Sequence, residues 1–357
     1  MADARTFDPF PLVRPLLHRV DPERAHDVTL RALEANLVPP QPAGDDPSIA
    51  IDLFGRRLAN PIGLAAGFDK NARVAHRMHA QGFSFVEVGG VTPLPQRGNP
   101  RPRVWRLPAD GAVINKMGFP NDGADAVLAR LAARPAGGML GVNLASNAQS
   151  ADPANDFVLL VQRFAAHADY LTLDISCPNT ANGQVFLDPA RLRDLLERIA
   201  ALGLARNAPA LVAKLAPDID GAQLEALVNV LLDAKIDGII VSNTTLARPP
   251  LLGDGSPAGG LSGRPLFAPS TAMLRQVATI TGGAVPLIGV GGIASGPQAY
   301  EKIRAGATAL QLYTGLIYHG TALVTRIKRE LAVLLLRDGY ANLSEAAAGG
   351  RPRRVSI

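Results

Sequence analysis

The chain contains a single cysteine, Cys177, in 357 residues. One thiol excludes an internal disulfide and any multi-cysteine metal site, no metal is expected, and a reducing compartment is compatible with it. Aromatic residues make up only 5%, so the core must be mainly aliphatic. No uninterrupted apolar run is long enough to span a bilayer, and the start carries no cleavable signal pattern. Lys and Arg total 36 against 31 acidic residues, a net charge of +5 without a block of one sign, so no nucleic-acid arm is expected. Arg351, Arg353 and Arg354 cluster in a short tail, read as solvated and mobile.

Hydrophobic residues reach 47%, with 35 glycines and 29 prolines, which fits a large core joined by many short loops. Residues 7–38 read as two short helices. Asp21 is a good N-cap for the second, with Pro22 at its first position and Glu23 in its first turn. The Pro-rich stretch 39–47 sets a boundary. A short hairpin around Gly55 follows. Strand and helix signals then alternate: strands at 62–66, 83–88, 139–144, 170–175, 210–215, 238–242, 286–290 and 309–313, and helices at 71–81, 122–133, 155–167, 189–202, 222–234, 269–281, 297–305 and 322–336. A Pro/Gly/Arg-rich excursion spans 89–120. Eight such units point to a closed parallel (β/α)8 barrel, a TIM barrel, with a small N-terminal helical cap. An open doubly wound sheet is the competing architecture. The expected division is 1–47 for cap and linker, 48–338 for the barrel and 339–357 for the tail.

A barrel builds its active site at the C-terminal strand ends. The stretch YLTLDISCPNT at 170–180 alternates apolar and polar residues until Pro178 and Asn179 stop it, presenting Asp174, Cys177 and Asn179. Lys70, Asn115, Asn143, Lys214 and Asn243 fall at other strand ends and converge on the same mouth. Amides and two ammonium groups suit a flat anionic ligand and a heterocyclic cofactor. Gly291-Gly292, with Tyr313-Thr314-Gly315, sits where such barrels hold a phosphate on backbone N–H groups.

The runs GLAAGFDKN, EVGGVTPLPQRGNPRPRVWRL, NKMGFPNDG, ISCPNT, SNTTL, GGLSGRPL and IGVGGI resemble those of dihydroorotate dehydrogenases in order and spacing. The stretch DPERAH at 21–26 is similar to the membrane-associated, quinone-linked class 2. The resemblance implies FMN-dependent oxidation of (S)-dihydroorotate to orotate in pyrimidine biosynthesis, with quinone as acceptor. FMN would be held by Ala66, Gly67, Gly90, Asn143, Asp174, Lys214, Ser242, Gly263, Gly291, Gly292, Tyr313 and Thr314. Lys70, Asn115, Lys116, Met117, Gly118, Phe119, Asp174, Asn179, Asn243 and Thr244 match substrate-binding positions. Cys177 would be the base that removes the C5 proton. His26, Arg103 and Tyr313 would line a quinone tunnel beneath the first two helices.

The pattern also departs from the family. Cys177 stands where class 2 usually has serine, and Asp174 where the family has an asparagine touching flavin and substrate. The lysine usual after the third-strand asparagine is missing from the run 143–147, and the loop 181–184 lacks the familiar glycine–leucine–arginine. A carboxylate beside an anionic substrate repels it and raises the neighbouring thiol's pKa. The competing reading is therefore a paralogous FMN oxidoreductase acting on another ring. The expected setting is a monomer, peripheral on the cytoplasmic face of the cell membrane.

Overall fold

The computed structural model describes residues 8–347 except 43, 136, 181, 206–207 and 250–256. The chain opens with α1 (Phe10–Arg19) and α2 (Pro22–Glu34). The Asp21 carboxylate caps α2, accepting from the amides of Glu23 and Arg24 at 3.1 Å each. A hairpin, β1 (Ile51–Leu53) and β2 (Arg56–Leu58), leads into β3 (Ile62–Leu64), α3 (Ala75–Ala80) and β4 (Phe85–Val91). Next come β5 (Val104–Leu107), β6 (Ala112–Asn115), α4 (Gly123–Ala132), β7 (Met139–Leu144), α5 (Pro153–Phe164), β8 (Tyr170–Asp174) and α6 (Pro189–Ala200). The second half runs β9 (Ala210–Leu215), α7 (Gly221–Asp233), β10 (Gly238–Val241), β11 (Gly260–Gly263), α8 (Phe267–Thr281), β12 (Leu287–Val290), α9 (Gly296–Arg304) and β13 (Ala309–Leu312). Helices α10 (Thr314–His319), α11 (Ala322–Arg337) and α12 (Leu343–Ala347) end the described chain.

Strands β3, β4, β7, β8, β9, β10, β12 and β13 close into a barrel. Each pairs in parallel with its neighbours. The strands are covered by helices outside and side chains inside, so they read as nearly unbroken buried runs. Gly63 and Gly141 leave room inside for the rings of Phe85 and Tyr170, which a Cβ at either position would strike. Phe54, at the tip of the β1–β2 hairpin, packs 5.5 Å from the Tyr170 ring and plugs that end of the barrel.

Three expectations need correction. The excursion is not irregular: β5 and β6 form an antiparallel hairpin, and β11 from the far side of the chain joins it to make a three-stranded sheet over the barrel mouth. Helix α3 begins at Ala75 rather than at 71. The Asp69 carboxyl accepts from the amides of Arg73 and Val74 at 2.8 and 2.7 Å, and Ala72 has φ +56, which is not helical. The segment after 338 is packed as far as 347, with Tyr340, Leu343 and Ala346 buried. The arginine cluster at 351–354 lies outside the described residues, as does Phe7 at the expected start of the first helix.

The Pro-rich linker is pinned to the barrel by an enclosed ion pair. Lys328 of α11 reaches Asp45 at 2.5 Å, with side chains 7% and 12% exposed, and Asn60 donates to the same carboxylate at 2.6 Å. Removing one partner strands the other charge in a poorly solvated place. Lys328→Met should lower unfolding stability by about 3 kcal/mol in urea titrations. Adding Asp45→Asn should restore part of that loss; equal or additive losses would refute the pairing energy.

Candidate active site

One cavity of about 1030 Å³ runs from the barrel mouth to the N-terminal helices. Every strand-end residue singled out from the sequence lines it except Lys116, whose ammonium lies 5.4 Å from the centroid of the Trp105 ring. Cys177, Asp174, Asn179, Asn243, Thr244, Lys70, Asn115, Met117, Gly118 and Phe119 border the cavity. So do Ala66, Gly67, Gly90, Asn143, Lys214, Ser242, Gly263, Gly291, Gly292, Tyr313 and Thr314, and, toward the helices, His26 and Arg103.

The polar groups are held, not loose. Asp174 ends β8 in register with Lys214 of β9, and its Oδ1 accepts from Asn243 Nδ2 at 3.0 Å. Asn243 Oδ1 in turn accepts from the Thr244 amide at 2.9 Å. Asn179 Nδ2 points to Asn115 Oδ1 at 3.5 Å, while Asn99 Nδ2 donates to the Asn179 carbonyl at 3.0 Å and fixes that loop. Lys70 Nζ donates to the Gly67 carbonyl at 2.6 Å.

Burial sets the electrostatics. It brings the Lys70 ammonium down to about 8, although Glu23 opposes the shift. It raises Asp174 above the ordinary carboxylate range, with Lys214 pulling the other way. The Cys177 thiol, 7% exposed, is pushed far above its usual value by burial and then by the Asp174 charge. His26 falls to about 3 through burial and the nearby Lys70, so its ring is neutral at physiological pH, and it packs edge-on to Phe68 at 5.2 Å. Tyr313 is pushed up to about 12 by burial and stays a phenol, 5.9 Å from the same Phe68 ring.

Several features mark this cavity as built for a flat polar ring carrying an anion. Among the described residues Asn143 Oδ1 and Thr244 Oγ1 are buried without a hydrogen-bond partner, an arrangement that costs stability unless a ligand donates to them. A Cβ on Gly90 would lie 2.7 Å from the Phe119 ring and 3.1 Å from Asn143 Oδ1, so only glycine lets these two cavity-lining groups close on the backbone there. Gly291 and Gly292 have φ of +103 and +73. Among the described residues their amides donate to no protein carbonyl. Such a turn cradles an anion. Thr314 Oγ1 donates to Ser262 Oγ at 2.9 Å, joining the turn after β13 to β11.

Sequence reasoning missed the supports of this site. Glu23 forms a two-toothed pair with Arg103 at 3.0 and 2.9 Å, clamping α2 to the 89–120 excursion. Arg106 donates to the carbonyls of Leu17 and Val20 at 3.0 and 2.5 Å, capping the end of α1. Inside the barrel the Glu87 carboxyl accepts from Asn143 Nδ2, Tyr170 Oη and Gln311 Nε2. A glutamate within a buried apolar strand was the available signal for this last group.

A sequence model of dihydroorotate dehydrogenase matches residues 48–335. The chain is 49% identical over 342 residues to a protein of Parvibaculum lavamentivorans named dihydroorotate dehydrogenase (quinone), covering 95% of this chain and 98% of that relative. It is 48% identical over 350 residues to a protein of the same name from Bradyrhizobium diazoefficiens, covering 96% and 95%. Among solved structures it is similar to the Eimeria tenella enzyme in complex with ferulenol, with a TM-score of 0.87, 36% identity and coverage of 94% and 96%. With the barrel, the cradle and the Cys177 mouth in place, these likenesses over nearly the whole length show that the chain belongs to the dihydroorotate dehydrogenase family.

Proposed function

We propose that this protein oxidises (S)-dihydroorotate to orotate in pyrimidine biosynthesis, with bound FMN and a quinone as electron acceptor, at a membrane surface. The observation that carries this reading is the continuity of the cavity: Cys177 and the amide-rich mouth line the same space as helices α1 and α2. FMN, when bound, accepts a hydride from the substrate and passes the electrons on to quinone. The Gly291–Gly292 turn, with Gly263, Tyr313 and Thr314, would hold its phosphate. Asn143, Ser242, Lys214, Gly90 and Ala66–Gly67 would border its ring.

The chain's own residues do the rest. Lys70 places a positive charge against the substrate carboxylate, and a bound carboxylate favours its charged form. Asn115, Asn179, Asn243 and Thr244 offer donors and acceptors to the ring amides. Cys177 Sγ, as thiolate, takes the C5 proton. Because burial and Asp174 keep this thiol protonated near neutrality, the thiolate fraction grows about tenfold per pH unit below the thiol's pKa. His26 of α2, neutral, and the phenol of Tyr313 both pack against Phe68 and border the cavity, and would offer hydrogen bonds to a quinone without introducing charge.

Among the described residues no helix is long and apolar enough to cross a membrane. Helix α1 has no buried residue, and Leu12, Leu16 and Leu37 are exposed by 72%, 64% and 73%. These side chains support an interfacial position for the cap.

Three experiments test the reading. Anaerobic mixing of the purified protein with dihydroorotate should bleach the flavin absorbance. Cys177→Ala should slow that reduction by about 10²- to 10⁴-fold while flavin stays bound, and the wild-type rate should climb with pH between about 6 and 9. Absence of bleaching, with rescue by Asp174→Asn, would assign a different ring substrate. Second, Asp174→Asn should lower the pKa of the lone thiol, so iodoacetamide labels Cys177 about tenfold faster near pH 9; an unchanged rate would show that the carboxylate does not act on the sulfur. Third, Leu12→Glu combined with Leu16→Glu should reduce binding to anionic vesicles and slow quinone turnover by about tenfold. Flavin reduction by substrate should be unaffected, and a loss there too would argue against a separate cap role.

A further inference from the structure

Lys302 of α9 is fully buried, at 0% exposure, and among the described residues it has no carboxylate within ion-pair distance. Its ammonium donates to Ser270 Oγ at 2.8 Å and lies 5.4 Å from the Phe267 ring centroid. A lysine in such a place is costly unless its charge is used. Ser270 is itself at 0% exposure, and its hydroxyl reaches the Phe267 carbonyl at 3.1 Å and the Gly291 carbonyl at 3.4 Å. A Cβ on Gly291 would lie 2.7 Å from Ser270 Oγ, and one on Gly292 would lie 2.6 Å from the Phe267 Cα. The anion cradle therefore rests directly on the first turn of α8, and Lys302 stands behind it.

We propose that Lys302 is a positioning residue for the cofactor phosphate. Through Ser270 it fixes the Gly291–Gly292 turn, and it supplies an enclosed positive charge that answers the phosphate from behind. The inference rests on the FMN reading above and extends it to a residue that does not line the cavity. Because the ammonium donates to Ser270 Oγ, the single hydroxyl hydrogen is directed to the Phe267 or the Gly291 carbonyl.

The surroundings leave this charge adjustable. Burial brings Lys302 down to about 7, with Glu301 raising it and Arg275 of α8 lowering it. Those two neighbours pair with each other at 2.9 Å on the surface. Glu330 of α11 is engaged with the Gly296 amide at 2.5 Å, and Glu345 of α12 with that of Ala341 at 2.9 Å. A dianionic phosphate favours the protonated lysine, so binding couples to proton uptake and weakens as pH rises through the lysine's range.

The test is release of FMN from the purified holoprotein on dilution, read by the return of flavin fluorescence across a pH series. Above about pH 7 the phosphate is already a dianion, so its own titration does not contribute. FMN Kd should weaken about tenfold between about pH 7 and pH 9 in the unmodified protein. Lys302→Met should bind FMN about tenfold more weakly at the lower pH, with a Kd that no longer changes over that range. Ser270→Ala, which keeps the charge and removes the link, should fall between the two. Riboflavin, lacking the phosphate, should bind Lys302→Met as it binds the parent. Equal losses for FMN and riboflavin, or an unchanged pH dependence in Lys302→Met, overturn the proposal. Flavin held with a pH-independent Kd in the unmodified protein overturns this proposal alone. A protein that binds no flavin at any pH overturns the functional reading and this one with it.

Discussion

The structure depends on one carboxyl inside the barrel. Glu87 is at 0% exposure and accepts from three donors: Asn143 Nδ2 at 3.0 Å, Tyr170 Oη at 3.1 Å and Gln311 Nε2 at 2.7 Å. These partners lie on β7, β8 and β13, so together with β4 one side chain cross-links half of the barrel wall. The carboxyl itself is fully engaged, while the acceptor oxygens of two of its donors, Asn143 Oδ1 and Gln311 Oε1, find no hydrogen-bond partner among the described residues, and both side chains line the cavity. The consequence for function is direct. By accepting from Asn143 Nδ2, Glu87 orients that amide, and Asn143 Oδ1 is left without a protein partner among the described residues. The barrel's internal bracing and the orientation of a ligand-facing acceptor are the same set of bonds.

A second constraint couples the cap to the mouth. Glu23 sits in the first turn of α2, where the helix dipole favours a negative charge, and it gathers both Arg103 and Arg101. Arg103 also donates to the carbonyls of Arg97 and Asn99 at 2.6 and 2.9 Å. Asn99 in turn holds the Asn179 loop. A displacement of α2 is thus transmitted through Glu23, Arg103 and Asn99 to the loop that follows Cys177. Two polar side chains of α1 tie that helix to the segment after β13: Arg14 donates to the Tyr318 carbonyl, and His18 is hydrogen-bonded to that of Ile317.

Much of this was legible in the residues. The barrel strands announced themselves because both of their faces are buried, and 139–144 and 210–215 were delimited correctly. Helix ends were less legible, since side-chain hydrogen bonds decide them, as Asp69 does at α3. The sheet over the mouth was missed for two different reasons. For β5 and β6 a signal existed: the run VWRL, a turn containing Asp110-Gly111, then AVIN, with Gly111 at φ +57. For β11, the run GLSG has no strand character, and only its pairing with β6, far away in sequence, makes it a strand. The site residues at strand ends follow from barrel geometry alone. Glu23, Glu87 and Lys302 do not, because their importance lies in what they touch.

The departures from the family pattern cluster rather than scatter, and they have a common physical sense. The runs 143–147 and 182–184 are joined: Asn182 Nδ2 donates to the carbonyls of Asn147 and Ser150, each at 3.3 Å, and Asn147 Nδ2 to Gln96 Oε1 at 2.9 Å. The loop after Cys177 is therefore tethered by amides, not by the lysine and arginine that the family pattern places there. Asp174 belongs with this change. Burial already raises it, and an anionic ligand beside it raises it further. Once protonated, a carboxyl offers one donor and one acceptor on a planar frame, the same pair of functions that an amide offers. Oδ1 keeps its acceptor role toward Asn243 in either state. In that neutral form the substitution is compatible with an anionic substrate, whereas the ionised form repels it.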